Sequence, residues 1–186
     1  MKRHIVTACL YTLSTAVLLG LVYPLAVMGL ANLAFRDKAN GQLIRQNGEV
    51  IGSKILGQPF TGPGYFHSRP SAAGTGYDAS ASSGSNLAPT NKTLVDRITG
   101  SVASEKDGGQ AVPVDLVTAS GSGLDPDITP ASALYQVPRV ARERNLPEDT
   151  VRGIVRNHIK ERQLGLLGEP RVNVLDLNLA LSAAHP

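Results

Sequence analysis

The stretch from Ile5 to Phe35 contains no Asp, Glu, Lys or Arg, and this run constrains the fold more than any other feature. About 20 apolar residues are enough for a helix to cross a bilayer, and this run is about 30 residues long. A cleavable signal peptide would have an apolar region of only about 7 to 15 residues and a small-residue cleavage site. The run ends in LANLAF, which lacks such a site. We therefore predict one retained transmembrane helix.

Basic residues flank the predicted membrane helix on both sides. They are Lys2, Arg3, Arg36, Lys38 and Arg45. Counting these charges does not decide the orientation, but a very short basic N-terminus followed directly by the anchor favours an N-inside arrangement. We expect a cytoplasmic N-terminus over residues 1–4, a transmembrane helix over 5–35 and an extracytoplasmic domain over 36–186.

Small or helix-bending residues interrupt the apolar run. They are Gly20, Tyr23, Pro24 and Gly29. Such residues let a neighbouring membrane helix approach closely, which predicts packing against a partner helix. An ordinary anchor with a proline kink is the alternative. The run lacks the acidic and basic side chains that mark ion pathways, so this helix is not expected to conduct ions alone.

The stretch from Gly57 to Asn91 has the composition of a linker, yet it carries half of the aromatic residues in the chain. These are Phe60, Tyr65, Phe66 and Tyr77. A flexible spacer gains nothing from aromatic rings, whereas a loop of fixed shape needs apolar anchors. We predict an ordered, functional loop, whose only formal charges, Arg69 and Asp78, pair to clamp its shape.

The remaining residues predict a single α/β (α+β) domain with short strands and several helices. Short strands are expected in GEVIGSKILGQPF with a turn at Gly52, and a strand is expected over 112–116. Helices are expected after Asn91, after Thr129 with either two short pieces or a kink at Pro138, and from Pro147 to no later than Gly165. The segment RVNVLDLNLAL is either a strand or a strand that runs into a short helix.

Charge and motifs exclude several function classes. The formal charge is +3, and setting Lys2 and Arg3 aside leaves +1, which gives no case for nucleic-acid binding. Phosphate-loop, serine-hydrolase and zinc-protease motifs are missing, and the histidines lack metal-ligand spacing. Ser120 and Ser122 are interpreted as turn residues rather than nucleophiles, and Asp125 as turn chemistry rather than a metal ligand. We predict no metal site and no enzymatic activity of the chain by itself.

Five blocks then occur in a fixed order. They are Tyr23-Pro24, GYFHSRPSA, SSGSNLAPTN, ASGSGLDPDITPASALYQVPRVAR and GEPRVNVLDLNLAL. With the N-terminal anchor, this order resembles the C subunit of the Kdp potassium-transporting P-type ATPase over nearly the whole chain. The resemblance implies a bacterial inner-membrane complex in which one subunit binds potassium and another hydrolyses ATP. This subunit would support assembly and activity.

The resemblance also implies a nucleotide role. The family is described as a catalytic chaperone that raises the ATP affinity of the hydrolytic subunit, and ATP shared with that subunit is the only cofactor expected. The matching block implies a nucleotide contact at Gln136, with Arg139 or Arg142 near the phosphates. The chain has no D-K-T-G-T loop, so phosphorylation belongs to a partner. If the domain is extracytoplasmic, however, Gln136 lies where ATP is scarce, and the alternative is a helix residue bonded to local backbone.

We therefore expect an extracytoplasmic cap on the potassium-binding subunit, with contact surfaces in the loops 65–86 and 120–127. The predicted partner contacts are Tyr65, Phe66, His67, Arg69, Asp78, Ser85, Asn86, Ser120, Ser122 and Asp125. The alternative function is a membrane-anchored extracytoplasmic sensor or binding domain, in which the 57–91 loop closes over a small ligand. A membrane-tethered serine hydrolase is a third, disfavoured possibility.

Overall fold

The structure is a computed structural model that describes residues 1–106 and 109–184. It divides into two compact units, Met1–Ser53 and Lys54–Pro186. The first unit begins with a continuous helical region, Lys2–Ala34, which contains an 18-residue stretch with a mean hydropathy of 2.1 and is long and apolar enough to span a membrane. At about 1.5 Å per residue it is about 50 Å long, which exceeds the roughly 30 Å of a bilayer's hydrocarbon core. The predicted apolar N-terminal helix is confirmed.

The N-terminal helical region has three parts: α1 (Lys2–Val17), a π-helical segment (Leu18–Val22) and α2 (Tyr23–Ala34). The π-helical segment ends two residues before Pro24, which has no backbone N–H and so interrupts the regular hydrogen-bond ladder. A Cβ atom added at Gly20 or Gly29 would meet no atom within 4 Å. The surface at both glycines is therefore open, and packing against a partner helix stays a prediction.

A short helix, α3 (Arg36–Ala39), and a hairpin complete the first unit. Strands β1 (Leu43–Gln46) and β2 (Glu49–Ser53) pair antiparallel, with Gln46 opposite Glu49. The turn lies at Asn47-Gly48, where φ is 53° and 86°. The predicted turn at Gly52 is wrong, because Asn-Gly is the stronger hairpin signal and Gly52 is paired within β2 opposite Ile44.

The second unit packs helices against a small sheet. The helices are α4 (Lys92–Glu105), α5 (Pro130–Arg144), α6 (Glu148–Asn157) and α7 (Val174–Ala184), and the antiparallel strands are β3 (Asp127–Ile128), β4 (Ile159–Lys160) and β5 (Arg171–Asn173), in the order β3-β5-β4. The core includes Val137 and Val140 of α5, Val151 and Val155 of α6, and Leu177 of α7. The predicted mixed helix and strand class is confirmed.

Helix starts follow the sequence signals. Asn91 caps α4 by accepting a hydrogen bond from the Thr93 N–H, and Thr129 caps α5 by accepting one from the Ser132 N–H. The helix α5 continues through Pro138 to Arg144, so of the two alternatives at Pro138 the one with two separate helical pieces is wrong. One lost hydrogen bond at a proline is outweighed here by the apolar face that α5 buries.

The sequence predicts a strand both in the segment 112–116 and in the C-terminal segment. The strand predicted over 112–116 is wrong: Val114–Leu116 form a single 3₁₀ turn. Asp115 in this turn is buried, and its carboxylate accepts hydrogen bonds from the Thr129 N–H (2.8 Å) and the Ser132 hydroxyl at the start of α5. A carboxylate is favoured at a helix N-terminus, and the hydrogen bonds of Asp115 direct residues 112–116 toward α5 and away from a sheet. The C-terminal segment is the strand-then-helix alternative, β5 followed by α7.

Candidate functional site

Two buried carboxamides hold consecutive residues of the 57–91 segment, which we call the anchored loop. Asn178 in α7 accepts a hydrogen bond from the Phe66 N–H (2.9 Å) and donates one to the Phe66 carbonyl (3.0 Å). Gln136 in α5 does the same for His67, at 2.7 and 3.2 Å. Because residues 66 and 67 lie outside any strand, these amides supply the backbone hydrogen bonds that a sheet would otherwise provide.

Gln136 uses its full hydrogen-bonding capacity inside the protein. Its Oε1 atom also accepts a hydrogen bond from Arg139 Nη2 (2.7 Å), and its Nε2 atom also donates to the Ser132 carbonyl (3.3 Å). A glutamine side chain has two acceptor sites and two N–H donors, so all four are occupied. The side chain is 1% exposed. The local bond to Ser132 matches the alternative interpretation of this residue, but its main partner is the distant His67 backbone.

Two arginines of α5 hold the residues just before Phe66. Arg139 Nη1 donates hydrogen bonds to the Tyr65 carbonyl (3.0 Å) and to the Pro63 carbonyl. Arg144 Nε donates to the Gly64 carbonyl (2.8 Å), and its guanidinium lies 4.6 Å from the centroid of the Tyr65 ring. The carbonyls of three consecutive residues, 63–65, are therefore hydrogen-bonded to α5, which fixes this part of the anchored loop.

The anchored loop is also joined to a second loop, residues 118–125. Ser71 donates a hydrogen bond to the Gly123 carbonyl (2.6 Å), and the Ser83 N–H donates one to the Ser122 carbonyl (2.9 Å). Gly123 has φ of +69°, and a Cβ atom there would lie 2.6 Å from the Ala73 nitrogen and 2.7 Å from the Ser83 carbonyl oxygen. Only glycine fits this approach, so the two loops form one continuous structure.

The charge clamp of the anchored loop differs from the predicted one. Arg69 Nη1 lies 2.9 Å from Asp125 Oδ2 in the second loop. Asp78 instead accepts hydrogen bonds from the Ser80 side chain (2.6 Å) and N–H (2.9 Å), which lower the pKa of its carboxyl. The predicted Arg69–Asp78 pair is wrong, because Asp78 caps the short turn that follows it and Arg69 reaches across to the second loop.

Tyr77 supports the same clamp from within the loop. Its hydroxyl donates a hydrogen bond to the Arg69 carbonyl (2.6 Å). Burial raises the pKa of this phenol, while a hydrogen bond with Ser68 opposes the rise. The phenol therefore stays protonated and remains a donor at neutral pH.

His67 connects the anchored loop to the end of α4. Its Nδ1 atom lies 3.1 Å from Glu105 Oε1, and its Nε2 atom lies 3.2 Å from the Gly62 carbonyl oxygen. Burial opposes ionisation of Glu105, but the hydrogen bond and charge of His67 and the charge of Arg139 outweigh it, so the pKa of this carboxyl is held below its usual range. The carboxylate form of Glu105 is thus the one that the structure favours.

The aspartates of the DPD sequence are each matched by an arginine. Asp125 pairs with Arg69, and Asp127 Oδ2 lies 2.9 Å from Arg171 Nε. Burial raises the pKa of Asp127, with a smaller contribution from Asp125, against the effects of Asn173, Arg171 and Lys160. Among the described residues, no group of three or more His, Cys, Asp or Glu side chains could hold a metal ion.

The structure separates the three predicted nucleotide residues. Gln136 and Arg139 bond to each other beneath the anchored loop. Arg142 instead lines a cavity of about 550 Å³ on another side of α5, together with Tyr135 and Arg152. Its guanidinium is also 3.8 Å from Glu143. The three side chains therefore do not converge on one point in this conformation, and a nucleotide contact stays a prediction.

The predicted partner contacts fall into two groups. Phe66 and Ser120 are buried, so they support the surface from beneath. The others are at least partly accessible; they are Tyr65, His67, Arg69, Asp78, Ser85, Asn86, Ser122 and Asp125. The structure brings Arg69 and Asp125 together and places Ser122 against the anchored loop through its backbone. Contact with a partner through these residues stays a prediction.

Sequence reasoning missed several residues that build this site. Asn178, Glu105 and Arg144 each bond to the anchored loop from a helix. Asn178 had a readable signal, since a single amide within the apolar run VLDLNLAL must find a partner if it is buried. Glu105 and Arg144 had none, because charged residues near helix ends are usually solvated.

The described residues form an apolar, membrane-length helix followed by a mixed helix and sheet domain. The polar network of that domain joins two loops in one surface, and this combination fits a single-pass membrane protein with an ordered loop surface. A family model described as "K+-transporting ATPase, c chain" (KdpC) matches residues 5–183. The chain belongs to the KdpC family of potassium-transporting ATPase subunits.

Curated relatives agree with the family model. A potassium-transporting ATPase KdpC subunit from Koribacter versatilis is 58% identical over 100% of this chain and 97% of its own length. The corresponding subunit from Acidobacterium capsulatum is 60% identical over 98% of this chain and 100% of its own length. One from Caulobacter vibrioides is 56% identical over 91% of this chain and 88% of its own length.

Proposed function

We propose that this chain is a non-catalytic accessory subunit that supports assembly of the potassium ATPase and raises ATP binding by its hydrolytic subunit. The observation that carries the proposal is the joined pair of loops, 57–91 and 118–125. Buried amides, arginines and a close glycine contact hold these loops in one shape. A loop surface that is fixed before binding loses little conformational entropy on docking, as a permanent subunit contact requires.

We further propose that the chain is a single-pass protein of the bacterial inner membrane with its second unit outside the cytoplasm. The short basic N-terminus, Lys2 and Arg3 before the apolar helix, supports this orientation. In that arrangement the joined loops cap the potassium-binding subunit. The membrane helix contacts the same complex through Gly20, Tyr23, Pro24 and Gly29.

The effect on ATP would then be transmitted through the partner subunits. Every hydrogen-bonding site of Gln136 is occupied within the domain, so a nucleotide could use this side chain only after His67, Ser132 or Arg139 releases a hydrogen bond to it. We assign to Gln136 and Arg139 the task of keeping the anchored loop in the shape that partners bind. Arg142, which is 62% exposed, is the residue of the three that a ligand could reach without rearrangement.

The first experiment determines orientation. Ser120 is buried and Ser122 lies in the proposed contact surface, so exposed positions outside the joined loops serve as reporters. In a Cys9→Ser background, Val114→Cys, 72% exposed, is treated with an impermeant maleimide in intact spheroplasts and after lysis, with Val95→Cys, 51% exposed, as a second position in the same unit. Labelling of both positions before lysis supports the proposal. Labelling only after lysis would place the domain in the cytoplasm and favour direct nucleotide contact.

The second experiment separates a loop-holding Gln136 from a nucleotide ligand. Gln136→Ala is measured in the full complex for the KM of ATP and in the purified chain for thermal stability without nucleotide. A loop-holding residue lowers the melting temperature of the chain in the absence of ATP, because the His67 backbone loses its partners. A melting temperature equal to that of the wild type, with a raised KM for ATP, would support direct contact instead.

A specific observation favours a second candidate function, the small-ligand sensor. The cavity of about 550 Å³ beside α5 is within the range of small-molecule sites. A sensor would be stable without partners and would show a ligand-dependent rise in melting temperature. Co-purification of the wild-type chain with the potassium-binding and ATP-hydrolysing subunits in mild detergent supports the accessory subunit, and purification of the chain alone supports the sensor.

A further inference from the structure

The turn between β4 and β5 holds three leucines in solvent. Leu164, Leu166 and Leu167 are 91%, 80% and 60% exposed, and the first two are the most exposed large apolar side chains of the described second unit. Single exposed leucines are ordinary, whereas a cluster of them on one turn marks an interaction site. We call residues 163–168 the leucine turn.

The leucine turn is held in one shape by its own backbone and by an ion pair. The Gln163 N–H donates to the Leu167 carbonyl and the Leu167 N–H donates to the Gln163 carbonyl, both at 2.9 Å. Arg162 Nη2 lies 2.5 Å from Glu169 Oε2 across the base of the turn. Leu164 adopts a φ of +55°, which is uncommon for a residue with a branched side chain. The apolar side chains are therefore displayed by a defined structure.

We infer that the leucine turn inserts into an apolar socket on another protein subunit of the potassium ATPase. The three leucines are flanked in sequence by charges of both signs, which is the pattern of a protein interface with an apolar centre and a polar rim. The surrounding residues are Lys160, Glu161, Arg162, Glu169 and Arg171. The inference rests on membership of the multi-subunit ATPase and goes beyond it by naming the contact.

The same residues disfavour a membrane surface as the occupant. Segments that insert into the headgroup region combine Trp, Phe or Leu with an excess of Lys and Arg. The leucine turn, QLGLLG, supplies the leucines without the excess of cations, because the flanking Lys160, Arg162 and Arg171 are each paired with a carboxylate. A second copy of this chain is also disfavoured, since three surface cavities of the second unit each carry charged side chains, such as Arg142, Asp125 and Glu105, and so do not form a purely apolar socket.

The test uses a photoreactive amino acid at Leu166 in the full chain, expressed with the other ATPase subunits and irradiated in native membranes. The matched control position is Val114, an apolar residue of the same unit that is 72% exposed. Mass spectrometry of the adducts is expected to identify one other ATPase subunit at position 166, in excess over position 114. Adducts with lipid alone, with a second copy alone, or no adduct would each overturn the inference.

A second measurement uses Leu166→Ser/Leu167→Ser in the full chain, with Val114→Ser as control. We expect the double variant to lower the yield of assembled complex in mild detergent, while the melting temperature of the purified chain equals that of the wild type, because both leucines are exposed. A wild-type yield for the double variant would overturn this inference alone. Failure of the wild-type chain to co-purify with any ATPase subunit would overturn the proposed function instead.

Discussion

The side-chain amide of Asn178 exchanges two hydrogen bonds with the backbone of Phe66, which is 112 positions earlier in the chain. Phe66 has no exposed surface, and its ring belongs to the same core cluster as Leu177 and Leu181 of α7. Phe66 thus places an apolar ring in the domain core, and both its buried N–H and its buried carbonyl are hydrogen-bonded. The loop is therefore a part of the fold as well as a surface.

Asn178→Ala is expected to destabilise the chain strongly. The substitution leaves a buried N–H and a buried carbonyl of Phe66 without partners, and each unsatisfied group costs about 1 to 3 kcal/mol. We expect a loss of about 2 to 5 kcal/mol, measured by urea unfolding of the full chain in mild detergent. Asn157→Ala, at an exposed position of α6, is the control and is expected to change stability by about 0.5 kcal/mol or less. Equal stability of the two variants would contradict the role assigned to Asn178.

The features that could be predicted from the sequence are those with local causes. The apolar run predicts the membrane-length helix, and Asn91 and Thr129-Pro130 mark the starts of α4 and α5 because a cap acts on residues two or three positions away. The aromatic content of the 57–91 segment likewise indicates an ordered loop, and Phe66 is its fully buried anchor.

The features that could not be predicted depend on contacts between distant segments. Nothing local indicates that Arg69 pairs with Asp125 rather than Asp78, because both carboxylates are chemically equivalent partners. The alternation at Val112, Val114 and Leu116 is typical of a strand, yet the carboxylate of Asp115 bonds to the start of α5 and keeps the segment out of the sheet. Tertiary contacts override a short periodic pattern in such cases.

A double-mutant cycle on Arg69 and Asp125 is expected to reveal coupling. The pair joins the anchored loop to the second loop, and both side chains are partly buried, so the coupling energy should be about 0.5 to 3 kcal/mol. The variants are Arg69→Met, Asp125→Asn and the double variant, compared by urea unfolding. The matched control is the cycle of Arg69→Met with Asp78→Asn, for which we expect additive effects. Coupling to Asp78 and additivity with Asp125 would reverse this assignment.

The lowered pKa of Glu105 predicts that the stability of the chain depends on pH. Its pKa is lower in the folded chain than the ordinary value of 4.5, so ionised Glu105 stabilises the fold. This contribution is complete above pH 4.5 and is lost as the pH falls through the lower folded pKa. We expect Glu105→Gln to be less stable than the wild type at neutral pH and the difference to shrink as the pH falls below 4.5.

The measurement is the urea midpoint of both proteins from neutral pH to about pH 3. Asp96→Asn is the control, because Asp96 is an exposed carboxylate of the same helix. A constant difference between wild type and Glu105→Gln across this range would show that the carboxylate charge makes no contribution.

Gly123 and Gly121 offer a matched pair for testing whether the two loops must meet closely. At Gly123 a Cβ atom would lie within 2.7 Å of two backbone atoms of the anchored loop, and φ is +69°. At Gly121 a Cβ atom would meet nothing within 4 Å. We expect Gly123→Ala to cost more than about 2 kcal/mol, because positive φ and the close contact both oppose a side chain, and Gly121→Ala to stay within about 0.5 kcal/mol.

If the joined loops form the contact surface for partner subunits, Gly123→Ala should also reduce the yield of assembled ATPase under conditions in which the variant chain remains folded. The effect is expected because the backbone of 71–83 must move to accommodate the added methyl group, which changes the surface that a partner meets. If a Gly123→Ala chain is measurably destabilised but still assembles fully, then the stability of the domain and the assembly of the ATPase do not depend on the same contact. The joined loops would then stabilise the domain without serving as its docking surface.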